Sequence, residues 1–236
     1  MTSAELIGAE AFLRWTSGEL GPVPPKEFIL VAEESGLVVP IELHMIRRVC
    51  EQISHWRQQG RHVPRISINL SSRQLANAHS ATEIAVILEE TGISGDNIEF
   101  DLGEGSILSE NPVVENSLSA LRELGASFAL DDFGTGYSSL SCFRRFRFHR
   151  LKIDHSFVSG ICTNEDDERL IRAIVALAKQ LGLETVAEGV ETEEQLNILR
   201  SEGCDFAQGF LLGRPQPAEE FERLLDREKT EESDSI

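Results

Sequence analysis

Asp131 and Asp132 stand side by side at the end of an apolar run, residues 128–130, and lead at once into a turn holding Gly134, Gly136 and hydroxyl donors. Adjacent carboxylates repel unless a cation neutralises them, and hard divalent ions such as Mg²⁺ take oxygen ligands. A lone Asp in that position would most simply open a turn. A pair, joined by polar residues at the ends of other apolar runs, points to metal. The others are Glu10, Asn69, Asp101, Lys152, Glu188 and Gln208, each in or just after a run rich in Val, Ile, Leu or Phe. Arg14 follows Glu10 and Phe12 at even spacing, so an extended chain would put all three on one face. Carboxylate and amide oxygens with one Lys and one Arg suit a two-metal phosphodiester hydrolase, in which two cations about 3.5–4 Å apart activate water and stabilise an in-line displacement. A Schiff-base aldolase using Lys152 is a more distant reading of the same lysine.

These residues need a scaffold that repeats. Strand-like runs fall at 7–15, 65–70, 97–102, 127–131, 150–154, 184–187 and 205–210, with amphipathic helical stretches between them. Pro24 and Pro25 open a helix through Ala32 and Glu33, residues 41–59 supply a longer one, and Gly60, Gly92, Gly125, Gly182 and Gly203 stand where left-handed caps are needed. Strands alternating with helices of this length mean βαβ units and a parallel sheet, closed as a barrel or open. Neither G-x-G-x-x-G nor G-x-x-x-x-G-K-[ST] occurs, which disfavours open nucleotide-binding sheets and favours the barrel. In a parallel barrel the C-terminal strand ends meet at one face, so residues as far apart as Glu10 and Gln208 could line one pocket.

The chain has 236 residues, 22 Lys and Arg against 40 Asp and Glu, and a formal charge of -18. That size fits one domain, residues 1–226, followed by a polar tail, 227–236, with nothing to bury and expected to be disordered. The acidity argues against a DNA, RNA or anionic-membrane surface, so an anionic substrate must be met by a local site. No apolar stretch approaches the roughly 18 residues of a membrane span, and residues 1–12 lack a signal-peptide pattern, so the expected location is cytoplasmic. Cys50, Cys142, Cys162 and Cys204 have no C-x-x-C spacing and read as reduced thiols. Asn69-Leu70-Ser71 fits a sequon that this compartment would leave unmodified.

Several of these stretches occur together in one known family. Gly8-Ala9-Glu10-Ala11-Phe12-Leu13-Arg14-Trp15, Asn69-Leu70-Ser71, the DDFGTGYSSL run of 131–140, Leu151-Lys152-Ile153-Asp154, Ala187-Glu188-Gly189-Val190-Glu191 and Gln208-Gly209-Phe210 resemble, in family order over roughly residues 7–225, the EAL-domain family of cyclic di-GMP phosphodiesterases. The resemblance implies an α/β, TIM-like (β/α) barrel that linearises cyclic di-GMP to 5′-pGpG with two Mg²⁺ or Mn²⁺ ions. By position, Glu10, Asn69, Asp101 and Asp131 match the ligands of one metal, and Asp131 with Asp132 those reaching the second. Lys152 matches the lysine that holds the attacking water, and Glu188 the acidic residue beside it, assigned to metal binding or general-base work. Glu10, Lys152 and Glu188 form the implied catalytic set. Arg14, Gln208 and Asp154 fall to substrate binding, while Glu104 and Glu191 support the loops. A homodimer or an attached sensory domain is compatible with the resemblance.

Three departures stand out. The signature triplet reads Glu10-Ala11-Phe12 instead of Glu-Ala-Leu, and the family's Glu-Ile-Thr-Glu-Ser reads Asp101-Leu102-Gly103-Glu104-Gly105. Asp is one methylene shorter than Glu, about 1.5 Å less reach at a ligand position. The chain also starts after the point at which the family places its first, Tyr-Gln-Pro-like strand, so the expected barrel lacks that strand. The alternative to a working phosphodiesterase is a degenerate EAL domain that binds cyclic di-GMP or a protein partner with little turnover.

Overall fold

The computed structural model describes residues 5–107, 111–134, 143 and 145–233, with side chains to residue 226. They fall into two compact units, one made of residues 6–101, 109–127 and 221 onward, the other built on 102–108 and 128–220.

In the first unit β1 (Gly8–Ala11), β4 (Arg65–Asn69) and β5 (Ile98–Gly103, to Asp101 in this unit) lie parallel in the order β1-β4-β5. The register sets Glu10 opposite Ser67 and Asn69 opposite Asp101. The run expected as one strand over 7–15 breaks after Ala11. Its end instead forms a hairpin of β2 (Trp15–Ser17) and β3 (Gly21–Val23), whose turn is held by the Ser17 hydroxyl accepting from the amides of Glu19 and Leu20. Pro24 and Pro25 do open a helix, α1 (Pro25–Ser35), and α2 (Val38–Gln58) begins three residues before the expected 41. Ile46, Cys50 and Ile53 recur at helical spacing on α2 and are fully buried. They form the face that packs on α4 (Ser80–Thr91), whose Ile84, Ile87 and Leu88 are buried in turn. Short α3 (Ser72–Leu75) is capped by Ser71, and α5 (Pro112–Glu123) by Asn111. Between β4 and β5 the side chains of Ile66, Ile68, Ile98 and Phe100 supply apolar layers.

In the second unit β6 (Ser127–Phe133), β7 (Arg150–Ile153), β8 (Glu184–Ala187) and β9 (Phe206–Ala207) are parallel and follow one another in that order. Helices α6 (His155–Gly160), α7 (Glu165–Leu181) and α8 (Glu193–Glu202) intervene. Phe128, Leu130, Leu151 and Ile153 from the strands, with Ile171 and Val175 from α7, form the core. Four acidic residues in the first turn of α7 and Lys179 in its last complement the helix dipole.

A last helix, α9 (Ala218–Ser233), carries the chain into the segment read as a polar tail. Within the first unit Phe221 stacks on Trp56 at 5.6 Å, the Trp56 indole N–H donates to Glu222 at 3.0 Å, and Arg61 pairs with Asp226 at 2.7 Å. The strand–helix repeat with parallel strands in both units is the α/β class of TIM-like barrels. Cys50, Cys162 and Cys204 are free thiols, and burial pushes the Cys50 thiol up to about 11, which keeps it protonated and inert. Cys142 lies outside the described residues. No helix among them is long and apolar enough to cross a membrane.

Candidate metal centre

In a regular strand Asp131 and Asp132 would point to opposite faces of the sheet. The pairing of β6 with β7 instead slips between Leu130 and Phe133, and Asp132 takes φ 54°, the one left-handed non-glycine among the described residues. This bulge breaks the alternation. Oxygens of Asp131, Asp132 and Glu188, the residue just past β8, consequently lie within 4.8 Å of one another. The Asp132 amide donates to Asp131 Oδ1 at 2.9 Å, which fixes that carboxylate.

Lys152, mid-strand in β7 and only 3% exposed, aims its ammonium into the same group, 2.7 Å from Glu188 Oε1 and 3.5 Å from Asp131 Oδ1. A buried cation paired twice is the counterweight that lets two carboxylates sit in a desolvated place. Three carboxylates in one cluster still exceed one ammonium in charge. The donor set is all oxygen and net negative, which fits a hard divalent cation and not a soft one.

The first unit carries the other predicted ligands. Asn69 Nδ2 donates to Glu10 Oε1 at 2.7 Å, and Asp101, 1% exposed, is Asn69's neighbour across the ladder, with its carbonyl accepting from the Leu70 amide at 3.0 Å. Glu10, Asn69 and Asp101 thus stand on three consecutive parallel strands, β1, β4 and β5. Arg14 is exposed near them in sequence, its guanidinium 5.5 Å from the centre of the Phe12 ring.

Other expected site residues have local duties that the sequence did not announce. Asp154 caps α6: its carboxylate accepts from the Ser156 amide at 3.0 Å and meets His155 Nδ1 at 3.2 Å. Burial alone would raise that carboxyl, but the Ser156 and His155 contacts carry it below the ordinary carboxylate range. Gln208 closes a backbone link, its amide donating to Ala187 and its carbonyl accepting from Val190. Glu191 is exposed, with its amide held by Gln195. Glu104 opens a 3₁₀ turn, Glu104–Ile107, and is buried with neither carboxylate oxygen hydrogen-bonded among the described residues. The part of the Gly-rich motif that it is expected to brace, residues 135–140, lies outside the described residues.

Two buried polar residues escaped the sequence reading. Glu42 on α2 accepts from both the amide and the hydroxyl of Ser71, each at 3.0 Å, just after the Asn69 position. Gln195 on α8 completes a capping box with Thr192, and the Thr-x-x-Gln spacing was the signal that could have revealed it.

Acidic oxygens near the strand ends of a parallel β/α scaffold, beside a buried lysine, are a donor set suited to a hard divalent cation. A family model for the EAL domain matches residues 1–215. The chain belongs to the EAL-domain family. The cyclic di-GMP phosphodiesterase PdeR of Escherichia coli is 40% identical over 94% of this chain and 34% of its own length. The solved PaMucR phosphodiesterase in a c-di-GMP complex is 37% identical, with TM-score 0.87 over 92% of this chain and 88% of that one. The calcium and cyclic di-GMP complex of Klebsiella pneumoniae BlrP1 is 27% identical, with TM-score 0.70 over 81% of this chain and 48% of that one. The chain spans about a quarter to a third of the length of the first curated relatives it matches.

Proposed function

We propose that this chain hydrolyses cyclic di-GMP to linear pGpG, with Glu10, Asn69, Asp101, Asp131, Asp132 and Glu188 holding Mg²⁺ or Mn²⁺. The observation that carries the reading is the cluster of Asp131, Asp132 and Glu188 pinned by buried Lys152. When bound, such cations would acidify a water and neutralise charge on the phosphate. Lys152, a donor with no acceptor lone pair, would orient that water by hydrogen bonding through Nζ. Glu188 Oε would accept its proton. The water oxygen adds to phosphorus in line with the 3′ oxygen, which leaves with a proton, so one P–O bond forms and one breaks. Arg14 would pair with a phosphate oxygen, since a guanidinium binds anions and does not ligate cations. Gln208 is the remaining candidate for substrate contact, with Asp154 acting through its helix cap. Glu104 and Glu191 would support the site's loops. Hydrolysis of an intracellular nucleotide would put the chain in the cytoplasm.

Incubation of the purified chain with cyclic di-GMP and Mg²⁺ or Mn²⁺, with chromatography of the products, tests this directly. Metal-dependent appearance of pGpG is expected. Binding of cyclic di-GMP without product would favour the degenerate-domain reading, which the shortened Asp101 motivates.

A further inference from the structure

We propose that Gln195 is a positioning residue that fixes the spacing between Lys152 and Glu188, an inference that rests on the proposed hydrolysis for its catalytic consequence. The two side chains leave neighbouring strands, and the path the backbone takes out of each strand determines where they meet. After β7 the chain turns through Asp154 into α6; after β8 it runs through Glu188, Gly189, Val190 and Glu191 to Thr192 at the head of α8. Gln195 is the side chain that joins these two exits.

Its amide oxygen accepts from the Glu191 amide at 2.8 Å and the Thr192 amide at 3.0 Å. Its amide nitrogen donates to the Val158 carbonyl of α6 at 3.2 Å. The side chain is 8% exposed, so water does not replace those bonds at little cost. The loop between Glu188 and Thr192 is then held by Glu188 N to Ile153 O at 3.1 Å, Val190 N to Gln208 O at 3.0 Å, Leu211 N to Val190 O at 3.1 Å, and the Gln195 fork. It also presses on α6. Gly189 has φ 72°, and a Cβ there would come within 2.7 Å of His155 Cβ. With backbone so close, the tether to Val158 sets how far the Glu188 loop stands from α6, and so where Glu188 meets the Lys152 ammonium at 2.7 Å. Misplacement of a reacting group by about 1 Å can lower turnover by as much as about a hundredfold.

Gln195→Met keeps the volume and removes all three bonds; Gln195→Glu keeps the two acceptor bonds and sets an oxygen against the Val158 carbonyl. Asn164→Ala, which removes the α7 cap on the Asp166 amide, controls for simple loss of a helix cap. With cyclic di-GMP and Mn²⁺, kcat should fall at least about tenfold in both Gln195 variants with KM within about twofold, while Asn164→Ala lowers the melting temperature and leaves kcat unchanged. If the Gln195 variants lose only stability, as the control does, the proposal is overturned. Crystal structures of the wild type and Gln195→Met supply a readout independent of turnover. A longer Lys152–Glu188 separation with a displaced 188–191 loop supports the proposal even if the wild type makes no pGpG, an outcome that would defeat the proposed hydrolysis alone. An unmoved loop and pair overturn it.

Discussion

Asp132 shows how one backbone torsion can serve a site. Its φ of 54° costs a non-glycine residue on the order of 1 kcal/mol, although Asp tolerates the region better than most. What that conformation gains is convergence of both aspartates with Glu188. Asp132→Gly would relieve the strain but raise the entropy of the unfolded chain, so stability should stay within about 1 kcal/mol of wild type while turnover collapses. Urea denaturation beside a rate assay checks this; a variant with full turnover would remove Asp132 from the metal set. Asp101 poses the opposite problem, a proposed ligand that is short. Asp101→Glu is expected to lower the metal concentration needed for half-maximal turnover and to speed it by about tenfold, equivalent to about 1.4 kcal/mol of transition-state stabilisation. A loss of rate on metal titration would mean that the backbone beside Gly103 already brings Asp101 into place. The carboxylates themselves were legible from sequence because charge at the end of an apolar run is conspicuous. The bulge was not, because register is set by the neighbouring strand and leaves no trace in residue types.

Between elements, the buried side chains that tie a helix to a loop carry consequences of their own. Glu42 reaches from α2 to Ser71, and burial pushes its carboxyl up to about 7, with Glu33 adding to the rise and the Ser71 bonds opposing it. The folded state therefore binds the Glu42 proton more tightly than an unfolded chain, where the carboxyl titrates near about 4.3. The stability tied to that proton is complete below the unfolded value and is lost as pH rises through about 7. Glu42→Gln, which mimics the protonated acid, should gain about 3–4 kcal/mol on wild type at pH 8 and only about 1 kcal/mol at pH 5. Parallel pH–stability curves for the two proteins would refute this. Another link is the clasp of α9 on α2, with Phe221 and Glu222 on Trp56, which is itself 5% exposed. In a Trp15→Phe background, ending the chain at Pro217 should shift Trp56 emission to the red and lower the melting temperature. Unchanged emission would show that α9 is not needed to bury Trp56. The β2–β3 hairpin escaped sequence reading because two three-residue strands, one containing Pro22, carry too little periodicity to register.

At the scale of the whole molecule, the alternation of strand and helix was legible because the central parallel strands β5, β6 and β7 are largely buried and read as apolar runs, while glycine marks many helix ends. The family likeness added roles that no spacing could give, above all the pairing of Lys152 with Glu188. The central functional claim is that the proposed hydrolysis is metal-dependent and needs these carboxylates and this lysine. The most direct measurement is pGpG formation from cyclic di-GMP against Mg²⁺ or Mn²⁺ concentration, for wild type and for Glu10→Ala, Asp131→Asn and Lys152→Ala, each confirmed folded by circular dichroism. The account predicts turnover in the wild type that chelator abolishes, and a loss of at least about a hundredfold in every variant. Turnover that survives chelator, or that persists undiminished in the folded variants, would contradict it.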